Sequence, residues 1–256
     1  MYCPGCGKEI PEGIGDVRAC PFCGATLGFR PAPEPRPSGI PWEDRAGLGF
    51  FGALVATLRM CLTDPTRFYS DLPKRQHLGA ALQYLILLTW VGGLGGLFWS
   101  LLLRRSQMEM LKSFGFNLPE QAFSVGARVL FTLVFALVIP ILVVISTFIW
   151  TAVVHVLLWI LGGAKEGYEA TLRVYAYARG STALFEWIPF CGGLVALVWG
   201  LVLQIIGLAR VHGISGAKAA LAVLIPLAAC CLIVVALVAA FFTAIMAMLG
   251  HSGGLS

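Results

Sequence analysis

Residues 129–164 read VLFTLVFALVIPILVVISTFIWTAVVHVLLWILGGA, and this stretch decides the fold because it contains no charged residue. As one helix it would be about 53 Å long, whereas the hydrocarbon core of a bilayer is about 30 Å thick. Two spans and a turn would barely fit into this run. We therefore predict a single long helix, kinked or tilted at Pro140, that protrudes at one end.

Apolar stretches on both sides of this run extend the pattern to five predicted transmembrane helices. The first stretch ends at Arg104 and Arg105, and its Gly92–Gly96 segment (GGLGG) supplies a small-xxx-small pair that lets another helix approach closely. The later stretches are separated by short polar or glycine-containing turns. The predicted spans are residues 77–103, 129–164, 171–189, 192–209 and 219–248.

The composition agrees with a membrane protein whose first third is different from the rest. The 256 residues are 58% hydrophobic and 12% charged, against about 25% charged in soluble domains. Residues 1–75 carry 9 of the 18 Lys and Arg and 8 of the 13 Asp and Glu. The remaining basic residues stand at helix ends, where they orient spans in the membrane, so we predict no nucleic-acid partner.

Four cysteines near the N-terminus form two copies of one pattern. Cys3-Pro-Gly-Cys6-Gly and Cys20-Pro-Phe-Cys23-Gly each place two thiolates within reach of one tetrahedral ion. Gly7 and Gly24 allow the tight turn that each copy needs. Because four thiolates fill all four coordination positions, we predict a structural metal site.

Zinc is the predicted metal, and iron in a rubredoxin-like site is the alternative, since a tetrahedron of four thiolates accepts either. A pair of disulfides or redox-active CxxC motifs is a further alternative. The duplicated pattern and the absence of a secretory signal argue against it, as does a segment too short to bury a core without a staple. Thiolate ligands require reducing surroundings, so we expect this end of the chain in the cytoplasm.

Two segments connect this module to the first span. Residues 29–46 are rich in proline and predict an extended linker that lets the module move independently. Residues 47–76 have apolar residues at helical spacing around Arg59, but Asp64-Pro65 ends the pattern early. We predict an amphipathic helix that lies at the membrane interface and is too short to span it.

Loop charges support a topology with the N-terminus in the cytoplasm and the C-terminus outside. The 162–173 and 210–218 loops carry basic residues, whereas the 189–193 turn and the C-terminal tail carry none. The 104–128 loop is the exception, because its four basic residues would face outward. Four other basic residues precede the first span and favour the opposite orientation of that span. We choose between the two orientations by the cysteines, whose thiolates require the reducing cytoplasm.

The predicted third span contains ionisable residues, which usually face a bundle interior or a wet cavity. Arg179 and Glu186 are seven residues apart, about 10.5 Å along a helix, which is too far for direct pairing. Glu169 and Arg173 have the i, i+4 spacing of an ion pair. One hypothesis is a polar cavity for an ion or lipid head group, lined by Arg179, Glu186, Tyr177 and His155. In the alternative, Arg179 snorkels, Glu186 lies near the outer interface, and His155 makes one interhelical hydrogen bond.

The chain resembles the Yip1 family of multi-pass membrane proteins in its bacterial form, over about residues 45–249. The resembling elements are His155, Leu161-Gly162-Gly163, Tyr168-x-x-Thr171-x-Arg173-x-x-x-Tyr177, Ile188-Pro189-x-x-Gly192, Gly207-Leu208-x4-Gly213 and Lys218-Ala219. The resemblance implies five spans within residues 77–250, a cytosolic N-terminus and no known catalytic activity. An N-terminal zinc ribbon is a familiar attachment in bacterial members.

Eukaryotic members of that family act in vesicle traffic with small prenylated GTPases. Their Asp-Leu-Tyr-Gly-Pro motif ahead of the first span is absent here, and TDPTRFYSDLP at residues 63–73 stands in its place. The resemblance therefore carries no GTPase partner over to this chain.

We thus expect an all-α multi-pass membrane bundle of about five transmembrane helices, preceded by a small four-cysteine zinc-ribbon module, in a bacterial inner membrane. The expected function is a non-enzymatic scaffold or trafficking factor whose ribbon, residues 1–28, recruits a cytoplasmic protein. A channel, transporter or lipid-moving protein that uses the polar face of the third span is the alternative. The lipid bilayer is the other expected partner, and association with further copies of the chain as a homo-oligomer is possible. The sequence contains no nucleophile beside a recognisable base and no Gly-rich phosphate loop, so we expect no enzyme.

Overall fold

A computed structural model of the chain describes residues 6–9, 20, 22–24, 39–73, 78–113 and 125–252. The chain divides into two compact units, Met1–Pro37 and Ser38–Ser256. In the described residues, the second unit consists of eight α-helices and one 3-10 helix. These are α1 (Arg45–Thr63), α2 (Pro65–Ser70), α3 (Leu78–Leu102), α4 (Arg104–Ser113), α5 (Val125–Ile160), α6 (Tyr168–Ala183), the 3-10 helix (Leu184–Trp187), α7 (Gly192–His212) and α8 (Gly216–Ser252).

The long apolar run forms one helix, as predicted. α5 continues through Pro140 as one helix, although proline cannot donate a backbone hydrogen bond. The helix ends where the Leu-Gly-Gly sequence begins. Gly162 has φ +64°, and the Gly163 N–H donates to the Leu158 carbonyl at 2.7 Å, which is the left-handed termination that glycine favours.

α6 is the central helix of the bundle and packs against α3, α5 and α7. Twelve of its sixteen residues are buried, including polar ones. The predicted span of residues 171–189 needs correction here. The α-helix ends at Ala183, and the chain continues as the 3-10 helix, which moves every later side chain off the helical path.

Five helices of the described residues are long and apolar enough to cross a membrane, which agrees with the predicted number. They are α1, α3, residues Leu137–Ile160 of α5, α7 and residues Gly216–Thr243 of α8. The membership differs from the prediction, because α1 qualifies and α6, with only sixteen residues, is too short to qualify by itself. However, Gly49 interrupts α1 with φ +67°, so its regular part, residues 50–63, is only about 21 Å long.

The glycine-rich segment of α3 permits close helix packing, but at a different spacing from the predicted one. A Cβ on Gly92 would lie 2.3 Å from the Ala183 carbonyl oxygen, and one on Gly95 would lie 2.7 Å from the Trp187 ring. A Cβ on Gly96 would meet nothing within 4 Å. The contact therefore uses Gly92 and Gly95, one helical turn apart, against the end of α6 and the 3-10 helix.

The segment before α1 belongs to the core of the second unit. Ile40 and Trp42 are 0% and 1% exposed, although they fall in the predicted linker, residues 29–46. The Trp42 backbone N–H donates to Thr57 Oγ1, and its indole N–H donates to the Ala80 carbonyl, both at 2.8 Å. Residues 39–44 are therefore anchored between α1 and the start of α3.

Candidate functional site

Three of the four predicted metal ligands lie together. The sulfur atoms of Cys6, Cys20 and Cys23 all lie within 4.8 Å of one another, and those of Cys6 and Cys20 are 3.8 Å apart. Two thiolates about 2.3 Å from one tetrahedral ion would be roughly 3.8 Å apart, so the spacing suits a metal ion. Cys3, the fourth predicted ligand, lies outside the described residues.

The backbone around these cysteines forms the turns that the sequence predicts. Gly7 and Gly24 have φ +71° and +69°, a left-handed conformation that residues with a Cβ adopt rarely. The Gly24 N–H donates to the Cys20 carbonyl at 2.9 Å, closing the second turn. Phe22, between Cys20 and Cys23, is 54% exposed, and the Lys8 ammonium lies 5.1 Å from the centre of its ring.

Arg173 occupies a buried cluster at the start of α6. Its guanidinium donates to Glu43 Oε1 and to the Pro73 carbonyl, and the side chains of both Arg173 and Glu43 are 0% exposed. The Tyr177 hydroxyl donates to the same Glu43 oxygen at 2.7 Å. Within the described part of the chain, Glu43 Oε2 and Arg173 Nε have no hydrogen-bond partner.

This cluster corrects the predicted ion pair between Glu169 and Arg173. The partner of Arg173 is Glu43, 130 residues earlier in the chain. The pair fastens the segment before α1 to the central helix. A carboxylate that pairs across such a separation leaves no spacing signal in the sequence.

Arg179 and Glu186 form an ion pair that the sequence analysis excluded. Arg179 Nη2 donates to Glu186 Oε1 at 2.9 Å. The prediction assumed a continuous helix between them. Because α6 ends at Ala183 and the 3-10 helix follows, the two side chains approach each other.

This ion pair faces a cavity of about 350 Å³ between α6 and α7. The cavity also touches α5 at Trp150 and α8 at Leu227. The side chains of Arg179 and Glu186 retain 37% and 25% of their accessible surface, so both charges are open to it. At its α5 side, the Trp150 indole N–H donates to Gln204 Oε1 at 3.3 Å.

A third polar cluster joins α5, α6 and α7. Thr171 Oγ1 lies 2.8 Å from His155 Nδ1 and 3.0 Å from His212 Nε2, and the two imidazole centroids are 6.0 Å apart. The Glu166 backbone N–H donates to His212 Nδ1 at 3.2 Å. His155 thus makes the interhelical hydrogen bond that the alternative hypothesis assigned to it.

The four residues proposed to line one polar cavity lie in three places. Arg179 and Glu186 line the 350 Å³ cavity, Tyr177 belongs to the Glu43 cluster, and His155 belongs to the Thr171 cluster. The hypothesis that all four residues line one cavity is therefore wrong, because only Arg179 and Glu186 line it.

Sequence reasoning also missed several polar residues of these clusters. One signal was available, because Tyr175, Arg179, Thr182 and Glu186 recur at i, i+4, i+7 and i+11, the spacing of one helical face. Glu43 and His212 offered no comparable pattern. The missed residues are Glu43, Tyr175, Thr182, Gln204 and His212.

The part of the chain that the structure describes is a nearly all-helical bundle with five long apolar helices, which defines the class, a multi-pass integral membrane protein in contact with the lipid bilayer. The chain belongs to the Yip1 family, since the family model of the Yip1 domain matches residues 60–252, about three quarters of its length. This is a family of membrane proteins that are not known as enzymes. The cysteine cluster precedes the matched range. No curated protein and no solved structure matches the chain.

Proposed function

We propose that the protein is a non-enzymatic membrane scaffold, acting in trafficking or membrane organisation, whose N-terminal zinc ribbon recruits a cytoplasmic protein. The observation that carries the proposal is the cysteine cluster, with sulfur atoms within 4.8 Å in a unit separate from the bundle. Cys3 supplies the fourth thiolate. A closed set of four thiolates leaves no position for a substrate, so the ion, zinc or alternatively iron, stabilises the ribbon.

The ribbon presents an exposed aromatic side chain that could contact a partner. Phe22 lies in the turn between Cys20 and Cys23 and is 54% exposed. Aromatic residues, phenylalanine included, are enriched at protein–protein interfaces relative to the rest of the surface. The Lys8 ammonium places one positive charge beside this ring, which suits a partner that presents an acidic group there.

The proposed topology places the N-terminus in the cytoplasm of a bacterial cell and the C-terminus outside the inner membrane. Reduced thiolates require a reducing compartment, and the loop charges after α5 alternate accordingly. In this topology α1 lies at the interface, because its regular part after Gly49 is shorter than the hydrocarbon core. The fifth crossing is then α6 together with the 3-10 helix, which measure about 32 Å end to end. Residues after Pro37 belong to the bundle unit, so the proposed tether is confined to residues 29–37.

Proximity labelling from the N-terminus of the full chain tests recruitment. We expect Phe22→Ala to reduce labelling of the captured protein while the metal content stays unchanged. Cys20→Ser should lower both the labelling and the metal content. Phe51→Ala is the matched control, because Phe51 is also exposed but lies on α1. Equal labelling by the wild type, Phe22→Ala and a chain without residues 1–28 would refute the recruiting role.

A second candidate function is a channel, transporter or lipid-moving protein that uses the polar face of α6. The open Arg179–Glu186 pair in a 350 Å³ cavity favours it, since ionisable groups at membrane depth are costly and usually serve a function. Liposomes that contain the purified full chain should then pass ions or a labelled lipid faster than empty liposomes. A scaffold should give no flux in either assay.

A further inference from the structure

We infer that the cavity between α6 and α7 binds the head group of a zwitterionic phospholipid that carries a phosphate and a primary ammonium group. Phosphatidylethanolamine has this chemistry. The inference deepens the second candidate function and rests on its cavity, but it requires only binding and no transport. It does not depend on the zinc ribbon.

The size of the cavity suits a head group. Its volume of about 350 Å³ is at the lower end of the range for small-molecule sites, roughly 300–1,000 Å³. A bare ion would leave most of this space unfilled, and the opposite charges in the wall already neutralise each other. A compact polar ligand is therefore the better fit.

The two wall charges select for a ligand that carries both signs. Arg179 and Glu186 are 2.9 Å apart, and each remains partly open to the cavity. An anion bound to Arg179 would meet the Glu186 carboxylate, and a cation bound to Glu186 would meet the guanidinium. A zwitterion satisfies both, because a guanidinium binds phosphate through paired donors and a carboxylate accepts from an ammonium group.

Glu186 also distinguishes a primary ammonium from a quaternary one. Its carboxylate can only accept hydrogen bonds when ionised, and a trimethylammonium group has none to donate. Phosphatidylcholine would thus leave this acceptor without a donor from the ligand. Such a mismatch costs affinity even though the net charge is the same.

The apolar part of the wall points to a lipid rather than a water-soluble molecule. Leu197, Leu201 and Leu227 line the cavity on α7 and α8. The next apolar residues on α7, Leu194 and Val198, are 65% and 54% exposed. A head group held by the ion pair would have its acyl chains against this leucine-rich surface.

Native mass spectrometry of the full chain in detergent tests the inference, with phosphatidylethanolamine, phosphatidylglycerol and phosphatidylcholine of identical acyl chains. We expect phosphatidylethanolamine to bind at least tenfold more tightly than the other two. Since a hydrogen bond to a charged group contributes about 1.5–3 kcal/mol, Glu186→Gln should lower its affinity roughly 10- to 100-fold and remove the preference over phosphatidylglycerol. Arg179→Gln should weaken the binding of both phosphatidylethanolamine and phosphatidylglycerol.

The variants of Arg179 and Glu186 could also impair folding if the ion pair stabilises the bundle. A variant that leaves both charges in place keeps the test valid in that case. Gly193 lines the cavity, and a Cβ there would meet nothing within 4 Å, so the longer side chain of Gly193→Leu should extend into the cavity. We expect it to abolish the preference for phosphatidylethanolamine. Gly96→Leu is the matched control, because Gly96 has equal free space but lies on α3, away from the cavity.

Equal binding of the three lipids by the wild type would overturn the inference, as would an unchanged preference in Gly193→Leu. Displacement of the lipid by equimolar glycerophosphoethanolamine, which lacks acyl chains, would also overturn it in favour of a soluble ligand. The two proposals fail separately. Selective binding of phosphatidylethanolamine without liposome flux supports the inference and refutes transport. Flux without a lipid preference supports transport and refutes the inference.

Discussion

Breaking the buried ion pair between Glu43 and Arg173 should be among the most destabilising single changes in the bundle. Both side chains are 0% exposed, and Glu43 also accepts a hydrogen bond from Tyr177. Glu43→Leu would leave a guanidinium in the interior without its counter-charge. Removing one partner of a buried pair costs about 3–5 kcal/mol, so we expect a loss of that size in the free energy of unfolding.

A double variant separates the charge effect from packing. Glu43→Leu together with Arg173→Met removes both charges and keeps most of the apolar volume. Replacement of a buried pair by apolar residues is often neutral, so the double variant should regain most of the stability lost in the single one. Tyr177→Phe should cost about 1.5–3 kcal/mol, since it removes one hydrogen bond to a charged acceptor.

The assay is urea unfolding of the purified full chain in detergent, followed by tryptophan fluorescence, because Trp42 is adjacent to Glu43. The exposed pair Arg67–Asp71 is the matched control, with an N–O distance of 3.8 Å and side chains that are 73% and 45% exposed. Arg67→Ala should change the unfolding free energy by less than about 1 kcal/mol. If Glu43→Leu costs no more than Arg67→Ala, the reasoning about the buried pair is wrong.

Three further predictions concern other parts of the chain. Gly92→Leu should destabilise the bundle by more than about 3 kcal/mol in the same assay, since even a Cβ would lie 2.3 Å from the Ala183 carbonyl, whereas Gly96→Ala should be nearly neutral. Equal effects would contradict the close contact. Chelation should remove one zinc ion per chain and leave the urea midpoint of the bundle unchanged, because the cysteines belong to a separate compact unit; a lower midpoint would contradict this independence. Thr171→Val should cost about 1–3 kcal/mol by removing the hydroxyl that bridges two imidazoles, and Thr171→Ser should restore most of it; an unaltered stability in Thr171→Val would argue against the bridge.

The sequence alone determined the features that depend on local composition and covalent spacing. A helix long enough to cross a bilayer needs about 20 apolar residues in succession, so α3, α5, α7 and α8 could be recognised without any partner. The Leu-Gly-Gly end of α5 was predictable because only glycine adopts its positive φ at little cost. The spacing of the CPxCG repeats likewise predicted the cysteine cluster, since a two-residue spacer brings Cys20 and Cys23 together and the repeated pattern supplies Cys6 as a further ligand of the same type.

Only the tertiary structure decided which polar groups meet. Arg173 pairs with Glu43 rather than Glu169, and Thr171 joins His155 to His212, because burial forces each polar group to find a partner wherever the packing brings one. The Arg179–Glu186 pair depends on the point at which the α-helix becomes a 3-10 helix, and the packing of Trp187 against Gly95 occurs at that same place. Such partners are chosen by the free energy of the whole bundle, and distance along the chain does not encode that choice.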